Sequence, residues 1–258
     1  MFDPRTERLE KLADAYPEEV RELSAILGGS SNVYVDWANV FYWSAGLGWH
    51  VDVKRMKQFL DSFPAVRRVR FYAGTLVGDP KSELAIAVAR RCGYNVRTKP
   101  VKIMRLSIDA SSVPANSPSL LKDFIKKPLL RKLRLETVEA LNEELRLLNR
   151  QGITFVEDMK ANFDVEIGRD MLRDYDADGL DTFVLWSGDS DFADPIRQLL
   201  RDGKRVVLFA TARKVASELN ALRAEGLLIF DIRRIRQFVC RGREMEPMPG
   251  EDELPLAA

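Results

Sequence analysis

Five uncharged residues, Thr182-Phe183-Val184-Leu185-Trp186, stand between acidic turn residues and Ser187-Gly188. That is the pattern of a buried strand. Ala193 to Arg201 follows with Ile196, Leu199 and Leu200 on one helical face, and Gly203 is its stop signal. The same alternation runs along much of the chain. Strands are expected at 32–36, 69–73, 94–103, 205–209 and 227–230. Helices are expected at 53–62, where Val53, Met56, Phe59 and Leu60 share a face, and at 81–92, which Gly93 stops. Strand, helix and strand in turn predict an α/β fold with a mostly parallel sheet and right-handed crossovers. Short crossovers of that hand, with the first and fourth strands adjacent, give the order 3-2-1-4-5 and a switch point between those two strands.

Several stretches break the alternation. Residues 4–27 mix charges with apolar Leu9, Leu12, Ala13, Val20, Leu23 and Leu27, and predict one helix broken near Pro17, or two, ended by Gly28-Gly29. This N-terminal helical extension (1–30) is either a packing element or a contact for a second copy or a partner protein. Residues 41–50 read as an aromatic loop with Phe41, Tyr42, Trp43 and Trp49, serving core packing or a base-stacking platform. Residues 105–119 are rich in Ser, Pro and Asn and read as a loop. Lys122, Lys126, Lys127, Arg131, Lys132 and Arg134 then face a single acid, Asp123, before a helix at 137–150. Together, 105–150 read as a basic helical insertion in a domain spanning 31–240. A helix at 161–174 carries Asp164, Glu166, Asp170 and Asp174. Asp164 and Asp170 are six apart and do not share a helical face, so only one of them, near the helix start, is expected at a site. The tail 241–258, Pro-rich and acidic, is expected to be disordered.

Composition narrows the chemistry. Charged residues make up 31% of the 258, yet the formal net charge is only +1, so any basic surface is local. The single histidine, His50, removes triads that need a second one and speaks against a His-rich metal site. Cys92 and Cys240 have no metal-type spacing and fit thiols in a reducing compartment. No signal-peptide core or stretch of transmembrane length is present, so a cytoplasmic protein with no membrane association is expected.

The candidate chemistry lies at two strand ends. Val33-Tyr34-Val35 runs into Asp36, with Asn39 three residues later, and Leu185-Trp186 runs into Ser187-Gly188-Asp189-Ser190-Asp191-Phe192. Each aspartate alone could be a turn or cap residue. Both strands ending in carboxylates at the ligand-binding edge of an open sheet point instead to a site. Like charges brought close need a counter-charge, which Mg²⁺ or Mn²⁺ held by oxygen ligands would supply.

These residues resemble a known family. Val35-Asp36-Trp37-Ala38-Asn39-Val40, Lys160…Asp164-Val165…Asp170 and Ser187-Gly188-Asp189-Ser190-Asp191-Phe192, followed by Gly203-Lys204-Arg205-Val206, look like the NYN domain, the LabA-like branch of the PIN-like nucleases. The resemblance implies a Rossmann-like three-layer sandwich and metal-dependent hydrolysis of RNA phosphodiesters. By position, it makes Asp36, Asp164, Asp189 and Asp191 the metal-holding catalytic acids, with Asn39, Ser187 and Ser190 in support. The chain departs from the family pattern in Lys160-Ala161-Asn162-Phe163-Asp164, which lacks the glycine usual before the third acid, at Glu225-Gly226-Leu227, where a late acid is usual, and in the basic insertion. The six basic residues of the insertion are expected to bind RNA backbone. A non-catalytic RNA- or protein-binding regulator and a phosphohydrolase of small esters remain the alternatives.

Overall fold

The computed structural model describes residues 2–76, 78–211 and 215–241, so nearly all of the expected disordered tail lies outside the described residues. The strands in chain order are β1 (Ser31–Asp36), β2 (Val66–Thr75), β3 (Asn95–Pro100), β4 (Lys102–Ser107), β5 (Phe155–Lys160), β6 (Thr182–Trp186), β7 (Arg205–Ala210) and β8 (Leu228–Asp231). The helices begin with α1 (Glu7–Ala15), α2 (Pro17–Ile26), α3 (Trp37–Leu47), α4 (Val53–Asp61), α5 (Pro80–Arg91) and α6 (Lys127–Leu130). They continue with α7 (Leu135–Arg150), α8 (Asp164–Asp178), α9 (Ala193–Arg201), α10 (Ser217–Ala221) and α11 (Arg236–Val239). Two compact units form: Met1–Pro100 with Asn162–Ala258, and Val101–Ala161.

The first unit is a parallel six-stranded sheet in the order β3-β2-β1-β6-β7-β8. The order expected from sequence is kept, with the last strand appended at the β7 edge. The centre of the sheet is its driest part: Val33, Tyr34, Val35, Phe183, Val184, Leu185 and Trp186 are fully buried. Burying each such side chain contributes about 1.5–3 kcal/mol, which fixes β1 against β6. Helices α4 and α5 pack on β2, while α8 and α9 pack side by side, α8 on β1 and α9 on β7.

The two faces of β1 and β2 differ in chemistry. Phe71 looks towards Trp37 and Tyr94, with ring centroids 5.1 and 5.2 Å away. On the opposite face Asn32, Tyr34, Arg70 and Tyr72 meet α8 through buried polar contacts. The Asp174 carboxylate accepts hydrogen bonds from Asn32 Nδ2 (2.9 Å), the Tyr34 hydroxyl (2.8 Å) and Arg70 Nε (2.9 Å), and it pairs with Arg70 Nη2. One turn nearer the helix start, Asp170 accepts from the Tyr72 hydroxyl at 2.8 Å and pairs with Arg97 at 3.1 Å. Buried charges need such partners.

The N-terminal region folds as two helices, α1 and α2, with Pro17 opening the second. Their apolar positions Leu9, Leu12, Leu23 and Leu27 are buried, and Arg8 donates to the carbonyls of Gln237 and Phe238.

Other expectations need correction. Residues 41–50 are not an aromatic loop: most belong to α3, whose first turn is capped by Asp36 and which ends at Gly48, at φ 72°. The expected third strand (94–103) divides into β3 and the start of β4, which runs to Ser107 inside the expected 105–119 loop. It pairs antiparallel with β5, a strand the hydrophobic pattern did not predict. The helix expected from 161 starts at Asp164.

In the second unit, β4 and β5 are joined by turns, α6 and α7. Asn142, fully buried, donates to the carbonyls of Ala115 and Ser117, and Asn149 donates to those of Ile108 and Ile153. Lys122, Lys126, Lys127, Arg131, Lys132 and Arg134 are all exposed. They lie on turns and the one-turn α6 rather than along one helix face.

Candidate metal centre

The topology builds the site. Chain order reverses between β1 and β6, so their carboxyl ends open the crevice where open α/β sheets bind ligands. The pairing of Val35 with Trp186 sets Asp36 beside Ser187, whose hydroxyl donates to Asp36 Oδ2 at 3.2 Å. The other Asp36 oxygen accepts the Asn39 N–H at 3.4 Å, so the carboxylate ends a strand and caps α3 together. After β6 the chain turns through a short 3-10 helix, Ser190–Phe192. The Asp189 N–H reaches Ser187 Oγ at 3.3 Å, and the Asp189 carboxylate accepts the Asp191 N–H at 3.3 Å. Asp189, rather than Asp191, therefore does the local capping.

The third contribution comes from α8. Asn162 Oδ1 accepts the Asp164 N–H at 2.9 Å, which fixes the carboxylate at the first residue of the helix. Asp164, Asp189 and Asp191 each offer an oxygen, and these atoms lie within 4.8 Å of one another. None of the three forms an ion pair with a cation among the described residues. Asp164 Oδ2 is buried without a hydrogen-bond partner.

The electrostatics follow from that crowding. Burial pushes the Asp36 carboxyl up to about 6, with the Asp189 charge adding to it, against the lowering hydrogen bonds from Asn39 and Ser187. Burial, with the neighbouring Asp191 and Asp189, likewise raises Asp164 to about 6, against a lowering hydrogen bond with Asn162. Raised carboxyls in a cleft indicate a place held ready for positive charge.

A divalent cation fits this donor set. The ligands are hard carboxylate oxygens, as Mg²⁺, Mn²⁺ or Ca²⁺ prefer, and one buried oxygen lacks any other partner. Of the four acids expected from sequence, three converge in one cluster, and Asp36 stands next to them through Ser187 and the Asp189 charge. Asp170 and Asp174 point elsewhere, into the buried contacts with β1 and β2. Ser190 lies in the turn itself, and His50 is exposed.

Comparison with known proteins meets this geometry. Residues 108–226 match the NYN domain. The NYN match contains Asp164, Asp189 and Asp191 and begins after β1, so Asp36 stands outside it. The chain is also similar to the Low amplitude and bright protein LabA of Synechococcus elongatus, at 24% identity over 216 residues covering 83% of this chain and 90% of that one. A crystal structure of a protein of unknown function from Vibrio parahaemolyticus aligns over 82% of this chain and 95% of its own, at 17% identity and a TM-score of 0.48. The resemblance read from the motifs is thus borne out, and NYN domains as a family are associated with nuclease activity.

Sequence reasoning missed one part of the surroundings and offered the other, an aromatic platform, only as one of two readings. Asn162 stands between Ala161 and Phe163, and its capping bond has no signature beyond Asn two residues before Asp. A cavity of about 260 Å³ opens beside the carboxylates, lined by Asn39, Tyr42, Trp43, Gly188 and Asp189. The aromatic run of α3 was its only signal.

Proposed function

We propose that the protein is a metal-dependent ribonuclease that hydrolyses RNA phosphodiester bonds. The observation that carries this reading is the convergence of Asp164, Asp189 and Asp191 with one buried, unpartnered carboxylate oxygen. These three would hold Mg²⁺ or Mn²⁺. The bound cation would lower the pKa of a water and offset charge on the phosphate. Asp36, held by Ser187 and the Asn39 N–H and shifted towards neutrality, is the group we assign to take a proton from the attacking water. Ser187 positions Asp36 and the Asp189 backbone at once. Asn39 and Ser190 support the two strand-end turns.

The six exposed basic residues of the insertion, Lys122, Lys126, Lys127, Arg131, Lys132 and Arg134, suit contacts to a phosphate backbone that carry no sequence information. RNA is therefore the partner we assign, with the reaction in the cytoplasm, where free Cys92 and Cys240 stay reduced. Incubating the protein with single-stranded RNA, duplex RNA, DNA and a small phosphate ester, each with Mn²⁺ or with EDTA, tests the reading. RNA cleavage that EDTA stops and Asp189→Asn abolishes is expected. Cleavage that persists in excess EDTA, or hydrolysis of the small ester alone, overturns it. RNA binding without any cleavage would make the protein a non-catalytic regulator.

A further inference from the structure

We infer that the cavity beside the carboxylates is a stacking subsite for one unpaired nucleobase, with Tyr42 as its platform. Asn39, Tyr42 and Trp43 are spaced three and four residues apart on α3, so they share the helix face that lines the cavity. Their environments differ. Trp43 is buried at 2% exposure and anchors that face in the fold, whereas Tyr42 is 69% exposed. The Tyr42 ring is braced from the side: Phe41 meets it edge-on, with centroids 5.8 Å apart and planes at 76°. Phe41, itself 45% exposed, leans on Trp37, which packs on Phe71 of β2. A chain of rings therefore runs from the sheet to a braced, solvent-facing tyrosine.

The rest of the lining identifies the ligand class. It is Gly188 and Asp189, the turn that supplies a carboxylate to the metal cluster. A flat π surface, an amide that can both donate and accept, and an adjoining cation-binding cluster match the three parts of a nucleotide: base face, base edge and phosphate. The cavity, about 260 Å³, falls just below the roughly 300 Å³ at which clefts for drug-sized ligands begin, which suits one nucleotide unit. A base within a duplex has both faces covered by its neighbours, so the subsite selects single strands or frayed ends. This inference rests on the nucleic-acid part of the reading above, and not on catalysis.

The test separates the two. Asp164→Asn protein, with Mg²⁺ present, is titrated with a single-stranded RNA carrying 2-aminopurine, and affinity and fluorescence are both read. The same protein carrying Tyr42→Ala, Tyr42→Phe or Tyr42→Trp is compared, and duplex RNA is the second ligand. Stacking on an aromatic is worth about 1–3 kcal/mol per base, so Tyr42→Ala should weaken single-strand binding about tenfold and abolish the fluorescence quenching. Tyr42→Phe and Tyr42→Trp should keep both, and duplex binding should change less than twofold. Equal affinity and equal quenching in Tyr42→Ala would overturn the subsite, as would an equal loss for duplex and single strand. Wild-type protein that binds with Tyr42-dependent quenching but never cleaves would remove the nuclease reading and leave the subsite standing.

Discussion

Replacing Asp36 with Asn should stabilise the protein in the absence of metal, even though Asp36 is a buried residue with two hydrogen bonds. Its carboxyl is 7% exposed and is raised from 3.8 to about 6 by burial and by Asp189. A group whose folded pKa lies above its unfolded one binds more protons in the native state between the two values, so stability falls as pH rises through that window, here from 3.8 to about 6. Above it the full penalty applies, about 3 kcal/mol at about 1.4 kcal/mol per tenfold change. Asparagine keeps the shape but has one acceptor oxygen where the carboxylate has two, so it can accept from Asn39 or from Ser187 and not from both, and the lost bond costs about 1 kcal/mol. The net gain is about 2 kcal/mol, or a rise in Tm of about 4–8 °C for a chain of this size. Thermal melts in EDTA at pH 7.5 and pH 4.5 read it directly: the gain should appear at the higher pH and shrink or reverse at the lower. An Asp36→Asn protein that melts below wild type at pH 7.5 would show that the ionised carboxylate is a structural cap rather than a strained site group.

Three further outcomes follow from the same structure. Mn²⁺ should raise the Tm of wild type by mass action and that of Asp164→Asn far less, read by melts across a metal titration, and equal rises would exclude the carboxylate cluster as the binding site. Arg70→Met strands the Asp174 charge against Asn32 and Tyr34 and should cost about 3–5 kcal/mol in urea unfolding at pH 7, whereas Arg70→Met with Asp174→Leu should recover only part of it, because Asn32 and Tyr34 then lose this acceptor. Burial works to raise Asp174, but its bonds to Arg70 and Tyr34 hold it below 3.8, so its stabilisation is present above that pH and is lost as pH falls through the lower folded value. Changing Lys126, Lys127, Arg131 and Lys132 together to Gln should weaken RNA binding and flatten its salt dependence, and an unchanged salt slope would refute a backbone-binding role.

The sheet was legible because its strands are dry. Val33 to Val35 and Phe183 to Trp186 carry no charge, the first stops at Asp36 and the second leads through Ser187-Gly188 to Asp189, so strand, order and candidate acids came from one pattern. Where residues face two ways the pattern failed. Helix α3, Trp-Ala-Asn-Val-Phe-Tyr-Trp-Ser-Ala-Gly-Leu, has no charged face to oppose an apolar one, and its start signal, Asp36, had already been read as a strand end. Strand β5 holds Glu157 and Asp158 and is recognisable only beside its partner β4. The contacts of Asp170 and Asp174 with Arg97, Tyr72, Arg70 and Tyr34 join residues far apart in sequence, so nothing local marks Arg70 or Tyr34 as their partners. For Asp164 helical spacing sufficed: it separated Asp164 from Asp170, and the structure sends one to the carboxylate cluster and the other to Tyr72.

The pairing of β4 with β5 has a consequence for how such a chain can change. Lys102 lies opposite Lys160, so the inserted unit leaves and rejoins the rest of the polypeptide at neighbouring points, with paired Cα atoms about 5 Å apart. The entropy of closing a loop grows only with the logarithm of its length, about 0.6 kcal/mol per doubling. Whatever is threaded between those two lysines, short hairpin or whole helical module, is therefore nearly invisible to the thermodynamics of the six-stranded sheet. By that arithmetic the segment that carries Lys122 to Arg134 tolerates a change of length, with α8 starting at Asp164, four residues after Lys160. A change of charge or length in the insertion need not shift the backbone that holds Asp164, Asp189 and Asp191.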